Sequence, residues 1–194
     1  MNNSKVIWHI TMSLDGFIAG PDDSMDWVFG GWSGDGTDPA DVEVDRSSLA
    51  VEVLGSIGAI LGGRRWWHVA ERLYDGVDGI YGGEWDGPVF VLTHRPPEDP
   101  GDGRVTFLST PLAAALATAG AAAGGKDVVV FGADLARQCL QAGLLDEIVV
   151  HLVPVLLGDG VRLFTAPDGE PVALRRTTVA ESGQITDLRF TVPR

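Results

Sequence analysis

Short apolar runs alternate with helix-periodic segments through the first two-thirds of the chain, and then the helices stop. Val6–Met12 alternates, with Val6, Trp8, Ile10 and Met12 set between more polar positions, which predicts a strand. Gly58–Leu61, Pro88–Leu92, Val105–Leu108 and Val128–Phe131 are apolar almost throughout, as strands covered on both faces are. Helical spacing fills the gaps. One helix is expected from Pro39 to about Leu54, with Val42, Leu49, Val53 and Leu54 on its apolar face. A short one runs from Arg64 through Leu73, and an alanine-rich one covers Pro111–Ala123. Another opens after Gly132, places Leu135, Cys139 and Leu140 on one face, and stops at Gly143. Beyond it lie Glu147–Val153, then Val172–Ala180 and Gln184–Val192, which read as a hairpin about Glu181–Gly183. The pattern predicts one α/β domain over residues 1–194: a mostly parallel central sheet, helices on both faces, and antiparallel strands at its C-terminal end.

The segments that join these elements carry the candidate chemistry. Sheets of this kind bind ligands beyond the carboxyl ends of their strands. Three strands end in suggestive turns: Gly62-Gly63-Arg64-Arg65-Trp66, Thr93-His94-Arg95, and Gly132-Ala133-Asp134-Leu135. Glycine lets the backbone approach a ligand closely, and a helix N-terminus offers free N–H groups to an anion. Arg64 and Arg65 at a helix start oppose the helix dipole, a conflict that a bound phosphate relieves. The plainer alternatives are ordinary turns and solvated arginines. Elsewhere, Phe17 and Ile18 form an apolar centre in the loop Ser13–Pro21, and Trp27, Phe29 and Trp32 in the Gly/Asp-rich stretch Asp22–Pro39 need something to pack over.

Charge narrows the partners. With 27 acidic and 14 basic residues the formal net charge is −13, which repels nucleic acid and anionic membrane. The few clustered cations then point to a local anion site. A single cysteine, Cys139, excludes an internal disulfide, and His9, His68, His94 and His151 are too scattered for a metal-ligand motif, so no metal is expected. The N-terminus lacks the apolar core of a signal peptide, and a cytoplasmic location is expected.

Taken in order, Ser13-Leu14-Asp15-Gly16-Phe17-Ile18-Ala19, Leu61-Gly62-Gly63-Arg64-Arg65-Trp66-Trp67, Val91-Leu92-Thr93-His94-Arg95, Phe131-Gly132-Ala133-Asp134-Leu135, and Gly143–Ile148 with Pro154–Gly160 resemble the dihydrofolate reductase-like superfamily. Within it the chain is similar to the reductase domain of riboflavin biosynthesis. The resemblance covers nearly the whole chain and rests on the ordered set. It implies a dihydrofolate reductase-like three-layer α/β/α fold, NADPH as cofactor, and hydride transfer to a small heterocycle, either a pterin or an aminopyrimidine such as the substrate of 5-amino-6-(5-phosphoribosylamino)uracil reductase. It also implies roles. Gly63, Arg64, Arg65 and Trp66 would meet the cofactor phosphates. Thr93, His94 and Arg95 would surround the adenosine 2′-phosphate. Gly132, Ala133, Asp134 and Leu135 would cradle the pyrophosphate, and Thr11 and Ile18 would lie near the nicotinamide.

The chain departs from the family pattern at two of these turns. Phe131 stands where a first glycine is usual, and Trp66 where a threonine is. Asp15, Asp26 and Glu43 are the candidates for the catalytic or substrate-binding carboxylate, against roles as turn former, loop charge and helix N-terminal charge. A nucleotide-binding sensor or resistance-type binder without turnover remains an alternative function, and a purely structural dimer module a third. A homodimer is expected, because the C-terminal strands and Glu147–Val153 would otherwise leave an apolar edge exposed.

Overall fold

The computed structural model describes residues 4–28, 47–99, 101, 103–165 and 170–194. Glu43, Phe29 and Trp32 lie outside the described residues, as does the first part of the helix expected from Pro39. The strands are β1 (Val6–Ser13), β2 (Phe17–Ala19), β3 (Ile57–Gly63), β4 (Val89–Leu92), β5 (Val105–Leu108), β6 (Asp127–Phe131), β7 (Glu147–Val153), β8 (Val161–Arg162), β9 (Arg175–Ser182) and β10 (Ile185–Thr191). The α-helices are α1 (Ser48–Ser56), α2 (Arg64–Leu73), α3 (Leu112–Ala122) and α4 (Ala133–Gln141). Strand order is β5-β4-β3-β6-β1-β7-β10-β9, with β2 and β8 paired separately. This is the expected three-layer α/β fold: a mostly parallel sheet with antiparallel strands at its C-terminal end. Two compact units share it, Met1–Trp8 with Gly55–Asp146, and His9–Leu54 with Glu147–Arg194.

In the first unit β5, β4, β3, β6 and the start of β1 run parallel. Their apolar runs are continuous because helices cover them. Ala59, Ile60, Leu61, Val91, Val129 and Val130 show no exposure at all. The alanine-rich α3 has little side chain to offer, so it packs close on β3 through Ala115, Leu116 and Ala119. Two carboxylates fix where β1 begins: Asp127 accepts the Lys5 amide at 2.8 Å and Asp146 the Val6 amide at 2.9 Å.

The second unit is antiparallel. β10 pairs with β7 on one side and with β9 on the other. Trp27, Val28, Val153 and Ile185 form its core, joined by Met25, Val155 and Leu157. Trp27 therefore packs inward, one of the two outcomes open to the tryptophans of that stretch. Phe17 and Ile18 do too, as the short strand β2, at 4% and 7% exposure. Glu147–Val153 is not an edge. It is buried at six of its seven positions and lies between β1 and β10; β9 is the outer strand, with Val179 half exposed.

Candidate functional site

The parallel register brings three strand ends of the first unit to one rim. Gly63 on β3 lies opposite Leu92 on β4, and Gly62 lies opposite Phe131 on β6. Helices leave this rim at once. Gly63 is the N-cap of α2, Gly132 the N-cap of α4, and neither helix start has a side-chain cap. Their first-turn N–H groups are thus left for something other than a capping side chain. Gly132 has φ of 97°, backbone that residues with a Cβ rarely adopt. No acidic residue occupies the first turn of α2.

Arg64 crosses to the end of β4. Its Nη1 donates to the Arg95 carbonyl at 2.7 Å and to Thr93 Oγ1 at 3.4 Å, and Thr93 Oγ1 accepts the Arg95 amide at 3.2 Å. Thr93 is buried, whereas Arg65, His94 and Arg95 are exposed. Arg64, Thr93 and Gly132, distant in sequence, therefore belong to neighbouring strand ends, and two of the three are hydrogen-bonded together.

The aromatic part of the rim has no local signal along the chain. The Trp66 ring packs against Gly62, where a Cβ would fall 2.1 Å from its Cε3. It stacks on Phe131 at 5.0 Å between centroids and 23° between planes, and Tyr81 approaches Phe131 at 5.8 Å. Trp66 and Phe131 are the two departures from the family pattern, and they are in contact with each other. Trp66 also reaches the α4 turn, its Cβ 3.4 Å from where a Cβ on Gly132 would be.

Within the α4 turn, Ala133 is half-buried and Leu135 is buried. The Asp134 carboxylate turns along its own helix to Arg137, at 2.5 Å, and to Gln138, at 2.8 Å. That pairing offsets a negative charge that would otherwise repel an anion at the same turn.

The remaining candidates lie in the second unit. Thr11 and Ile18 are buried at 9% and 7% exposure. Asp15 clips two loops together: Oδ1 accepts the Ser13 hydroxyl at 2.7 Å and the Leu157 amide at 3.1 Å, and Oδ2 accepts the Gly158 amide at 2.7 Å. The Ser13 hydroxyl first, then the Gly158 and Leu157 amides, outweigh desolvation and hold its carboxyl at about 2. Asp26 is exposed, its amide donating to Ser24 Oγ at 3.3 Å. Cys139 is fully buried, and burial pushes its thiol up to about 12, so it is chemically inert. No cluster of three or more potential metal ligands occurs among the described residues.

Comparison with known proteins places this architecture. The model of the RibD C-terminal domain matches residues 4–186. The chain belongs to the RibD C-terminal domain family. Among curated proteins, the uncharacterised Bacillus subtilis (strain 168) protein YwjB is 27% identical over 188 residues, covering 96% of this chain and 97% of that one. Among solved structures, a protein from Shewanella sp. PV-4 assigned provisionally to riboflavin biosynthesis superposes with a TM-score of 0.74 at 22% identity, over 98% of this chain and 99% of its own. The Thermotoga maritima diaminohydroxyphosphoribosylaminopyrimidine deaminase/5-amino-6-(5-phosphoribosylamino)uracil reductase superposes with a TM-score of 0.64 at 14% identity, over 98% of this chain and 57% of its own. At these identities the superpositions establish the RibD-like fold and nothing finer.

Proposed function

We propose that this chain is an NADPH-dependent reductase of a small heterocyclic substrate, of the pterin or riboflavin-precursor aminopyrimidine type. The observation that carries the reading is the rim of the first unit, where Arg64, Thr93 and Arg95 are hydrogen-bonded beside two helix starts that lack side-chain caps. The residues there fit a doubly phosphorylated nucleotide. Gly63 and Gly132 let the backbone come close, the amides of α2 and α4 suit phosphate oxygens, and the one acidic side chain of the turn, Asp134, is paired elsewhere. Arg65 and Arg95 supply cations and His94 an imidazole N–H for the adenosine 2′-phosphate, and all three are exposed. Trp66 and Phe131 replace the usual threonine and glycine with ring surface. When bound, the nicotinamide supplies the hydride. Thr11 and Ile18 are assigned to it on family resemblance, and Asp15, Asp26 and Glu43 remain the carboxylates proposed for substrate. Family membership supports an oxidoreductase; the substrate class rests on resemblance to the flavin-pathway and pterin reductases.

One observation favours the alternative of a binder without turnover: every hydrogen bond of the Asp15 carboxylate serves the fold. Rapid-mixing measurement of NADPH oxidation against pterins, quinones and aminopyrimidines separates the two, since only the reductase consumes cofactor. We propose a homodimer as well, through the outer strand β9 with its exposed Val179. No helix among the described residues is long and apolar enough to cross a membrane, and a cytoplasmic location accords with the lone, buried cysteine.

The reading is tested by titrating NADPH and NADH against the wild type and Arg95→Ala. Charge-assisted contacts to the 2′-phosphate favour NADPH by about 10-fold or more in the wild type, and Arg95→Ala narrows that ratio while leaving NADH nearly unchanged. Equal affinity for both cofactors in the wild type rejects the phosphate roles.

A further inference from the structure

The connection from α2 to β4, Tyr74–Pro88, is longer than its two ends require. Such connections usually take about 2–6 residues. α2 leaves the rim at Gly63 and runs away from it for 10 residues, roughly 15 Å. β4 starts at Val89, roughly 10 Å below Leu92 and the rim. Both ends of the connection therefore lie away from the rim, yet its middle returns there. The Tyr81 ring is 5.8 Å from that of Phe131 at the end of β6.

Both legs of this excursion are tied down. On the way out, the Gly76 amide donates to the Ala70 carbonyl at 2.9 Å, and Arg104, next to β5, donates to both oxygens of Asp78. On the return, the Trp85 ring packs against Gly87, where a Cβ would fall 2.4 Å from Cζ2. Between them Ile80 is buried. Tyr81 follows with φ 51° and ψ 41°, left-handed backbone that side chains with a Cβ rarely take. The packing on either side holds Tyr81 in that conformation and its ring against Phe131.

Three rings meet at this place. Trp66 stacks on Phe131, and Tyr81 approaches Phe131 at a tilt of 49°. All three are half-buried, so each keeps part of its surface in solvent. The chain sets two of them at the uncapped helix starts: Trp66 is in the first turn of α2, and Phe131 directly precedes Gly132, the N-cap of α4. Amides and rings ask for different chemistry. Helix amides suit phosphate, whereas the negative face of an aromatic ring does not. Rings suit a planar base, because every base has a π-face to stack. A ligand that satisfies both carries phosphate and base on one molecule. On the NADPH reading, on which this inference rests, Thr93, His94 and Arg95 take the 2′-phosphate of the adenosine half. They share the first unit with the three rings, so the base that reaches the rings is adenine.

We propose that Trp66, Phe131 and Tyr81 form a stacking wall for the purine base of the nucleotide, with Tyr81 carried to it by the Tyr74–Pro88 connection as a specificity-determining residue. The ring surface of Tyr81 is what recognises the base.

The test compares two probes on the isotopically labelled whole chain, by amide chemical-shift titration: adenosine 2′,5′-bisphosphate, which has the base, and inorganic pyrophosphate, which lacks it. The variants are Tyr81→Asn, since asparagine accepts left-handed backbone, and Tyr81→Phe, which keeps the ring. Tyr81→Asn should weaken the bisphosphate by about tenfold and leave pyrophosphate unchanged, and Tyr81→Phe should keep the wild-type ratio of the two affinities. An unchanged bisphosphate affinity in Tyr81→Asn overturns the wall, and so does an equal loss for both probes, which would make the ring a support of the fold alone. In either case the wild type still binds both probes and the NADPH reading stands. A wild type that binds neither probe overturns that reading and the wall with it. Should Tyr81→Asn fail to fold, proton–proton cross-relaxation in the wild-type complex decides: contacts from the adenine protons to the Tyr81 ring support the wall, and adenine contacts confined to other residues overturn it.

Discussion

At the rim of the first unit, the backbone N–H groups that open α2 and α4 have no side chain to cap them, and exposed cations stand nearby. In the second unit the polar groups close on each other: Asp187 on His151, His151 on His9, Asp15 on Ser13 and two loop amides, Arg189 on Glu52. The same polar chemistry is open in one region and shut in the other. An uncapped helix start has amides that an anion from outside can accept, whereas the hydrogen bonds of the second network are made within the fold. A ligand is therefore expected at the uncapped helix starts rather than at the most conspicuous cluster of titratable residues.

The largest effect should come from breaking the shut network. Asp187→Ala leaves the His151 Nδ1–H buried with no acceptor and should cost about 3–5 kcal/mol of stability, measured as a shift of the urea midpoint. A loss under about 1 kcal/mol means the cluster is not closed as described. Next comes the open rim. Gly132→Val forces a side chain onto backbone at φ 97° and towards Trp66, with an expected cost of about 1–3 kcal/mol. It should also weaken NADPH binding more than tenfold by isothermal titration, because the α4 turn must distort; unchanged affinity would clear that turn of any cofactor role. A smaller effect is the coupling between the two family departures. A double-mutant cycle of Trp66→Ala and Phe131→Ala should return about 0.5–1.5 kcal/mol, and additive losses would show that the stack contributes nothing of its own. Least of all is Asp15→Asn. The Asp15 carboxyl titrates at about 2, below its usual range, so its contribution is complete above about pH 4 and fades as pH falls through about 2. The substitution should hasten amide exchange at Leu157 and Gly158 at neutral pH while hardly moving the melting temperature.

Much of the fold was legible because burial writes itself into short apolar runs. Gly58–Leu61 and Val128–Phe131 had to be covered on both faces, and β3 and β6 are. Val105–Leu108 is β5 and Glu147–Val153 is β7 at the expected bounds. What periodicity does not carry is lateral order. Nothing in EIVVHLV says that it will lie between β1 and β10, so an interior strand reads as an edge. Nor can two residues, Val161 and Arg162, announce that they will pair with Phe17 and Ala19. The rim was half legible: glycine and arginine after a strand have local physical meaning, but the stacking of Trp66 on Phe131 is a long-range contact with no local signal. The histidines show the same limit. His9 and His151 are 142 positions apart, with no spacing pattern to connect them, and only the strand order brings them to Asp187.

The most direct test of the account is to map amide chemical shifts while titrating NADPH into the isotopically labelled chain. The open-rim account predicts saturable shifts at the amides of Gly63–Trp66, Thr93, Arg95 and Gly132–Leu135, with those of the Asp187–His151–His9 row far less affected. Shifts absent from all three turns, with NADPH bound elsewhere or not at all, would contradict it.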